Sequence, residues 1–335
     1  MVAAAGVLIA LAVAVVSPVP FVALTPGPTL NTLGSLSGKP LIQIKGHPTY
    51  PANGHLNMVT VSFLGGPRTH FNIFAALRSW LSPDDAVVPE QEIFTPGKTP
   101  QQVAKQDVEE MANSQQTATV AALCQLRISF KTVDTVRATV KGMPAAGVLQ
   151  RGDVITAVDG KPVGCRADAA TLIKDRKPGA PVQLTVLRHG HTEQVRLATA
   201  SLQGQPVLGV QLVQTFVFPF TVSFSVGNIG GPSAGLMFAL GIIDKITPGN
   251  LTGGRFIAGT GVIEANGTVE PIGGIQQKII GARQAGATVF LTPAANCPDT
   301  ARAVPAGMRL IKVSSLAGAV AALDALKAGR PVPSC

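Results

Sequence analysis

Residues 234–243 read Ala-Gly-Leu-Met-Phe-Ala-Leu-Gly-Ile-Ile, a run without one polar side chain. A helix that is apolar all round has no face for water and must be covered on every side. The run therefore requires a core able to enclose a whole helix, and other elements to wall it in. The composition can supply one: of 335 residues, 46% are hydrophobic and 13% charged, which excludes bulk disorder. Further along, residues 256–259, 262–263, 287–291 and 310–313 read as strands, Asn266-Gly267 as a turn, and 316–328 as an amphipathic helix. Alternating strands and helices predict an α/β (α+β) domain, a mixed sheet covered by helices.

Immediately before the apolar run stands Gly230-Gly231-Pro232-Ser233. Proline has no N–H and suits a first helical turn, which puts Ser233 at the helix N-terminus, beside unpaired amides and the positive dipole end. Two readings are open for it. Ser233 caps the helix, an ordinary role for a serine at that position, or it is a nucleophile whose oxyanion the neighbouring amides stabilise. A nucleophilic serine needs a base. All five histidines (His47, His55, His70, His189, His191) precede residue 192, so the last third of the chain has none to offer. Lys278 is the other source. After Gly273-Gly274, the residues Ile275, Lys278, Ile279 and Ala282 share one helix face. In that apolar stripe the lysine either snorkels to water or is held inside, where desolvation leaves part of it neutral and basic.

The two segments resemble the proteolytic domain of the Lon protease family, with Gly-Pro-Ser-Ala-Gly around Ser233 and Pro-Ile-Gly-Gly leading to Lys278. Thr260-Gly261 stands between them at the family's spacing. The resemblance implies a catalytic Ser233–Lys278 dyad, with Thr260 orienting the amine and the amides around Gly231, Pro232 and Ala234 holding the oxyanion. It also implies the two-layer α/β fold of Lon proteolytic domains (ribosomal protein S5 domain 2-like), commonly assembled as a homo-oligomeric ring. This chain departs from the family at one place. Relatives usually carry Pro-Lys-Asp-Gly-Pro-Ser, whereas here Gly230 stands where the acid would be. Glu110-Met111-Ala112-Asn113-Ser114 resembles the family's first protease helix, and 217–225 the strand that leads to the nucleophile.

A second resemblance lies between these segments. Residues 143–160, Met-Pro-Ala-Ala-Gly-Val-Leu-Gln-Arg-Gly-Asp-Val-Ile-Thr-Ala-Val-Asp-Gly, are similar to the core of a PDZ domain of the protease-associated kind. Asp159-Gly160 is a hairpin turn, Val182, Leu184 and Val186 alternate along a strand, and 168–176 would be the groove helix. PDZ domains bind extended peptides by strand addition. Thr99-Pro100-Gln101-Gln102 is a capped helix start, with Val103, Val108, Met111, Ala118 and Ala122 on its apolar face. Residues 71–81 read as a short helix, and 41–44 and 58–63 as strands.

Residues 2–24 carry no charged side chain, enough for one membrane span near the usual ~20 residues. An uncleaved anchor is expected, a cleaved signal peptide being the rival. The layout that follows is a transmembrane anchor (1–24), a Pro/Gly linker (25–40), a first part of the protease domain (41–125), an inserted PDZ-like domain (126–201) and the dyad-bearing part (202–335). The resemblance to membrane-anchored relatives puts the bulk outside the cytoplasm, single-pass in the cell membrane. Disulfides are permitted there; of three pairings, Cys124–Cys165 with Cys297–Cys335 is expected, free thiols being the alternative.

The net charge of +9 is spread thinly, and one Trp and one Tyr make poor base-stacking platforms. That excludes nucleic acid and points to an acidic envelope or lipid surface. No Cys/His spacing suggests a metal, and no phosphate loop of the G-x-x-x-x-G-K-[ST] kind occurs, so no cofactor is expected. The function expected is an ATP-independent serine endopeptidase for unfolded or flexible segments of envelope proteins. The alternative is a non-catalytic PDZ tether or holdase on a protease fold.

Overall fold

The structure is a computed structural model and describes residues 15, 17–66, 69, 71–94, 96–164, 169–300 and 304–335. The chain divides into two compact units, one from residues 1–122 and 222–335, the other from 123–221. Strand β1 (Phe21–Asn31) runs antiparallel to β2 (His55–Gly65), and over residues 21–24 also to β3 (Ala86–Pro89).

This overturns two expectations. Residues 21–24, assigned to the end of a transmembrane helix, are strand, with Val22, Ala23 and Leu24 buried. Residues 25–40, assigned to a linker, hold the rest of β1 and a small hairpin of Ser35–Leu36 with Lys39–Pro40. Pro26 and Pro28 gave the linker impression. The strand accepts them because β3 has ended by Leu24, and the register shifts between Pro26 and Thr29. The first unit therefore begins by Phe21 rather than near residue 41. Residues 1–14 and 16 of the expected anchor lie outside the described residues. Among the described residues, no helix is long and apolar enough to cross a membrane.

Helix α1 (Ile73–Leu81) is capped by Asn72, whose Oδ1 accepts the Ala75 N–H at 2.9 Å. Helix α2 (Pro100–Gln125) opens on the expected capping box: Thr99 N–H donates to Gln102 Oε1 (2.8 Å) and Gln102 N–H to Thr99 Oγ1 (3.3 Å). Val103, Met111, Ala118 and Ala122 are buried as the periodicity predicts, but Val108 is exposed.

The second unit is an antiparallel sheet of β4 (Lys131–Thr139), β5 (Val154–Val158), β6 (Pro181–Arg188), β7 (His191–Ala198) and β8 (Val210–Val217), with helix α3 (Ala169–Lys174). Its strand order is β7-β6-β5-β4-β8. Val136, Ile155, Leu184 and Val186 form its core. β8 pairs with β4 along its length, so the chain stays in this unit well past the expected boundary at 201. The strand expected over 217–225 is instead two, β8 ending at Val217 and Thr221–Phe224 beginning afresh. Of the expected groove helix, Asp168 lies outside the described residues.

Back in the first unit, helix α4 (Gly235–Ile246) is buried at every position except Lys245, as its composition demands. Strand β9 (Phe256–Gly259), helix α5 (Ile275–Gln284), strands β10 (Val289–Pro293) and β11 (Arg309–Val313) and helix α6 (Leu316–Lys327) follow. The sheet order is β11-β10-β9-β2-β1-β3, parallel from β11 to β2 and antiparallel beyond. The β9–β2 ladder thus joins the two halves of the chain that flank the second unit. Cys297 and Cys335 are disulfide-bonded, as expected. Cys124 is disulfide-bonded too, and Cys165 lies outside the described residues.

Candidate active site

Lys278 reaches the site from α5. Gly274 starts that helix at φ 66°, and a Cβ there would come within 2.8 Å of Val61 on β2. Glycine is thus needed twice over, for the left-handed backbone and for the close approach. The stripe of Ile275, Lys278, Ile279 and Ala282 is buried as one face, and Lys278 is only 3% exposed. It does not snorkel. Its Nζ donates to Ser233 Oγ at 2.8 Å and to Thr260 Oγ1 at 3.3 Å. Desolvation lowers its pKa from 10.5 to about 7: the charged form has lost its water.

Ser233 is not the helix cap. Ala234 occupies the N-cap of α4 without any side-chain cap bond, and the Ser233 hydroxyl faces the lysine. Two peptide planes around it are held by their carbonyls. Pro232 C=O accepts from Ser114 Oγ of α2 at 2.9 Å. Ser233 C=O accepts from Gly261 N–H (2.8 Å) and Thr260 Oγ1 (2.9 Å). In a planar trans peptide the N–H points opposite to the C=O. Fixing these carbonyls therefore aims the N–H groups of Ser233 and Ala234 away from Ser114 and Thr260.

Gly231 does not fit the role expected of it, because its N–H donates to Asp107 C=O of α2 at 3.1 Å. Pro232 has no N–H to give. Of the supporting loop, the amides of Ser233 and Ala234 are left without a backbone acceptor among the described residues. Gly230 is explained by the same helix: a Cβ at that position would lie 2.4 Å from Asp107 Cβ. The family's acid has no room beside this α2.

The sequence reading missed Ser114 and Asp107. Ser114 did leave a signal. It is a hydroxyl in the stripe of Met111, Ala118 and Ala122, and a polar group on a buried face needs a partner. A second clamp acts on the lysine side, where Asn296 accepts from Ile272 N–H (2.9 Å) and donates to Ile272 C=O (3.0 Å). Ser233 and Lys278 open onto a cleft of about 700 Å³ lined also by residues 58–63 of β2, Phe94, Met111, Ile229 and Val262. Among the described residues, no group of three or more His, Cys, Asp or Glu could hold a metal ion.

Fold and site together define a mixed α/β chain with a serine paired to a buried lysine and a second, all-antiparallel β unit carrying one helix. Comparison with known proteins matches residues 226–323 to the Lon protease (S16) C-terminal proteolytic domain and residues 110–199 to a PDZ domain. The Lon protease of Roseiflexus castenholzii is 41% identical over 69 residues, 21% of this chain and 8% of that protein. Lon protease 1 of Bacillus subtilis is 35% identical over 89 residues, 26% of this chain and 11% of that protein. The matched stretches span about a tenth of these relatives' length. A probable periplasmic DegP-like serine endoprotease of Pseudomonas fulva is 38% identical over 61 residues, 18% of this chain and 13% of that protein. Among solved structures, the PDZ domain of the SdrC-like protein of Listeria innocua is 27% identical, covering 24% of this chain and 92% of that one at a TM-score of 0.23. The chain thus carries one stretch similar to a PDZ domain and one similar to the Lon proteolytic domain.

Proposed function

We propose that this chain is a serine endopeptidase in which Ser233 is the nucleophile and Lys278 the general base. The observation that carries this is the 2.8 Å contact between a buried lysine, its pKa lowered to about 7, and the serine hydroxyl. Near neutral pH much of the amine is unprotonated and takes the hydroxyl proton as Oγ attacks the peptide carbonyl. The amides of Ser233 and Ala234 receive the oxyanion. The ammonium then returns the proton to the leaving amine, and an acyl-enzyme remains. Water, deprotonated by the same lysine, releases the acid and restores Ser233. Thr260 accepts from the amine and donates to Ser233 C=O, so it keeps the lysine turned toward the nucleophile.

The cleft fits a few residues of extended chain, which supports substrates that are flexible or already unfolded, cleaved without nucleotide. The Cys297–Cys335 disulfide supports an oxidising, extracytoplasmic setting. The uncharged stretch before the fold supports tethering to a membrane, now through residues 2–16. A non-catalytic holdase would have no use for a lysine desolvated against a hydroxyl. The test is cleavage of a carboxymethylated, unfolded protein by parent, Ser233→Ala and Lys278→Ala chains. Both variants should lose more than about 1,000-fold in rate; parental rates in Ser233→Ala would sink the reading.

A further inference from the structure

Helix α1 is turned inside out. At 100° per residue, Trp80, Ile73, Leu77, Leu81 and Phe74 follow one another around a single stripe ~120° wide, with Arg78 at its flank. That stripe faces outward: Ile73 is 42% exposed, Phe74 45%, Leu77 47%, Trp80 72% and Leu81 77%. The opposite face is made of small residues, and Ser79 is the one buried position of the helix. An apolar helix face bared to water while a serine is packed inside calls for a covering phase.

The chain's route identifies that phase. Asn72, the N-cap of α1, donates from Nδ2 to Val15 C=O at 2.9 Å, and Val19 N–H donates to Phe71 C=O at 2.8 Å. Pro18 and Asn72 also form a bridge. The uncharged run of residues 2–16 therefore joins the fold at the N-terminus of this helix. No lysine, arginine or carboxylate occurs before Lys39. Such a run needs an apolar surrounding on all its sides, whereas one helix stripe could cover only one of them.

We infer that the outward face of α1 docks on the surface of a lipid bilayer, with Phe74, Leu77, Trp80 and Leu81 entering its interfacial layer. An apolar stripe with a tryptophan at one edge and an arginine beyond the other is the composition that such an interface favours. The bilayer entered by 2–16 and the bilayer touched by α1 would be the same one. This shares with the proposed function only the attachment to a membrane, and it is independent of the dyad.

Trp80 is the only tryptophan of the chain, so it reports on its own surroundings. The full chain is reconstituted into phosphatidylcholine/phosphatidylglycerol vesicles with either plain or brominated acyl chains. Trp80 emission should shift to the blue and lose most of its intensity in the brominated vesicles, in the parent and in Ser233→Ala alike. Phe74→Ser with Leu77→Ser, both exposed and neither lining the cleft, should keep peptidase activity and lose the quenching. A chain that sediments with vesicles while Trp80 stays unquenched keeps the tether and overturns the docking face. Emission already blue-shifted without lipid also overturns it, assigning the face to a second copy if the shift depends on concentration and to residues 2–14 if it does not.

Discussion

Among the described residues no carboxylate balances Lys278, and desolvation by burial is the cause of its lowered pKa. Between pH 7 and 10.5 the unfolded chain binds a proton there that the folded chain does not. Stability from this residue therefore rises with pH across that window and is at its lowest below it. Activity that needs the neutral amine rises through the lower part of the same window. Lys278→Met should abolish cleavage and raise the unfolding midpoint at pH 7 by roughly 5 °C or more. The gain should shrink toward pH 10, which calorimetry at several pH values would show; a pH-independent gain would mean that the lysine is not desolvated. At this scale the sequence was informative but ambiguous. Ser233, Thr260 and Lys278 could be picked out, yet capping serine and snorkelling lysine remained open, because spacing along a helix does not report what lies across from it. The engagement of the Gly231 amide was hidden for the same reason: its partner, Asp107, is on a helix far earlier in the chain.

Helix α2 acts on the loop before Ser233 through a backbone carbonyl and a hydroxyl. Asp107 C=O accepts from Gly231 N–H, Ser114 Oγ donates to Pro232 C=O, and Gly230 leaves the space that lets them meet. Ser114→Ala should release the Pro232–Ser233 peptide plane and lower kcat about 10-fold, with KM and the pH profile unchanged. Affinity for a peptide aldehyde, whose adduct carries the same oxyanion, should fall by a similar factor. If KM rises instead, Ser114 serves only to pack the cleft. Elements with strong local chemistry were legible, such as the Thr99 capping box and the all-apolar α4. Strand β1 was not. Its two prolines read as a linker, and only the early end of β3 makes them compatible with a ladder.

Across the whole molecule, the sheet that carries the site is built from both ends of the chain, with the PDZ domain between them. Residues 202–335 expressed alone would leave Phe256–Gly259 without its His55–Met58 partner and bare an apolar strand edge. That fragment should aggregate and show no peptidase activity, as size-exclusion chromatography and the unfolded-protein assay would reveal. Sequence gave no view of this pairing, since parallel strands so far apart leave no local signature. The PDZ expectation was legible from its turn residues, although its last strand was not, because the boundary depends on β8 pairing back to β4.

The β9–β2 ladder has one more consequence, for the gene rather than the protein. A chain interrupted at the solvent-facing turn His189-Gly190 would still bring both parts of the catalytic sheet, each fragment carrying strands that the other lacks. Two such open reading frames, translated separately in one cell, are candidates for reassembly into a working peptidase by complementation.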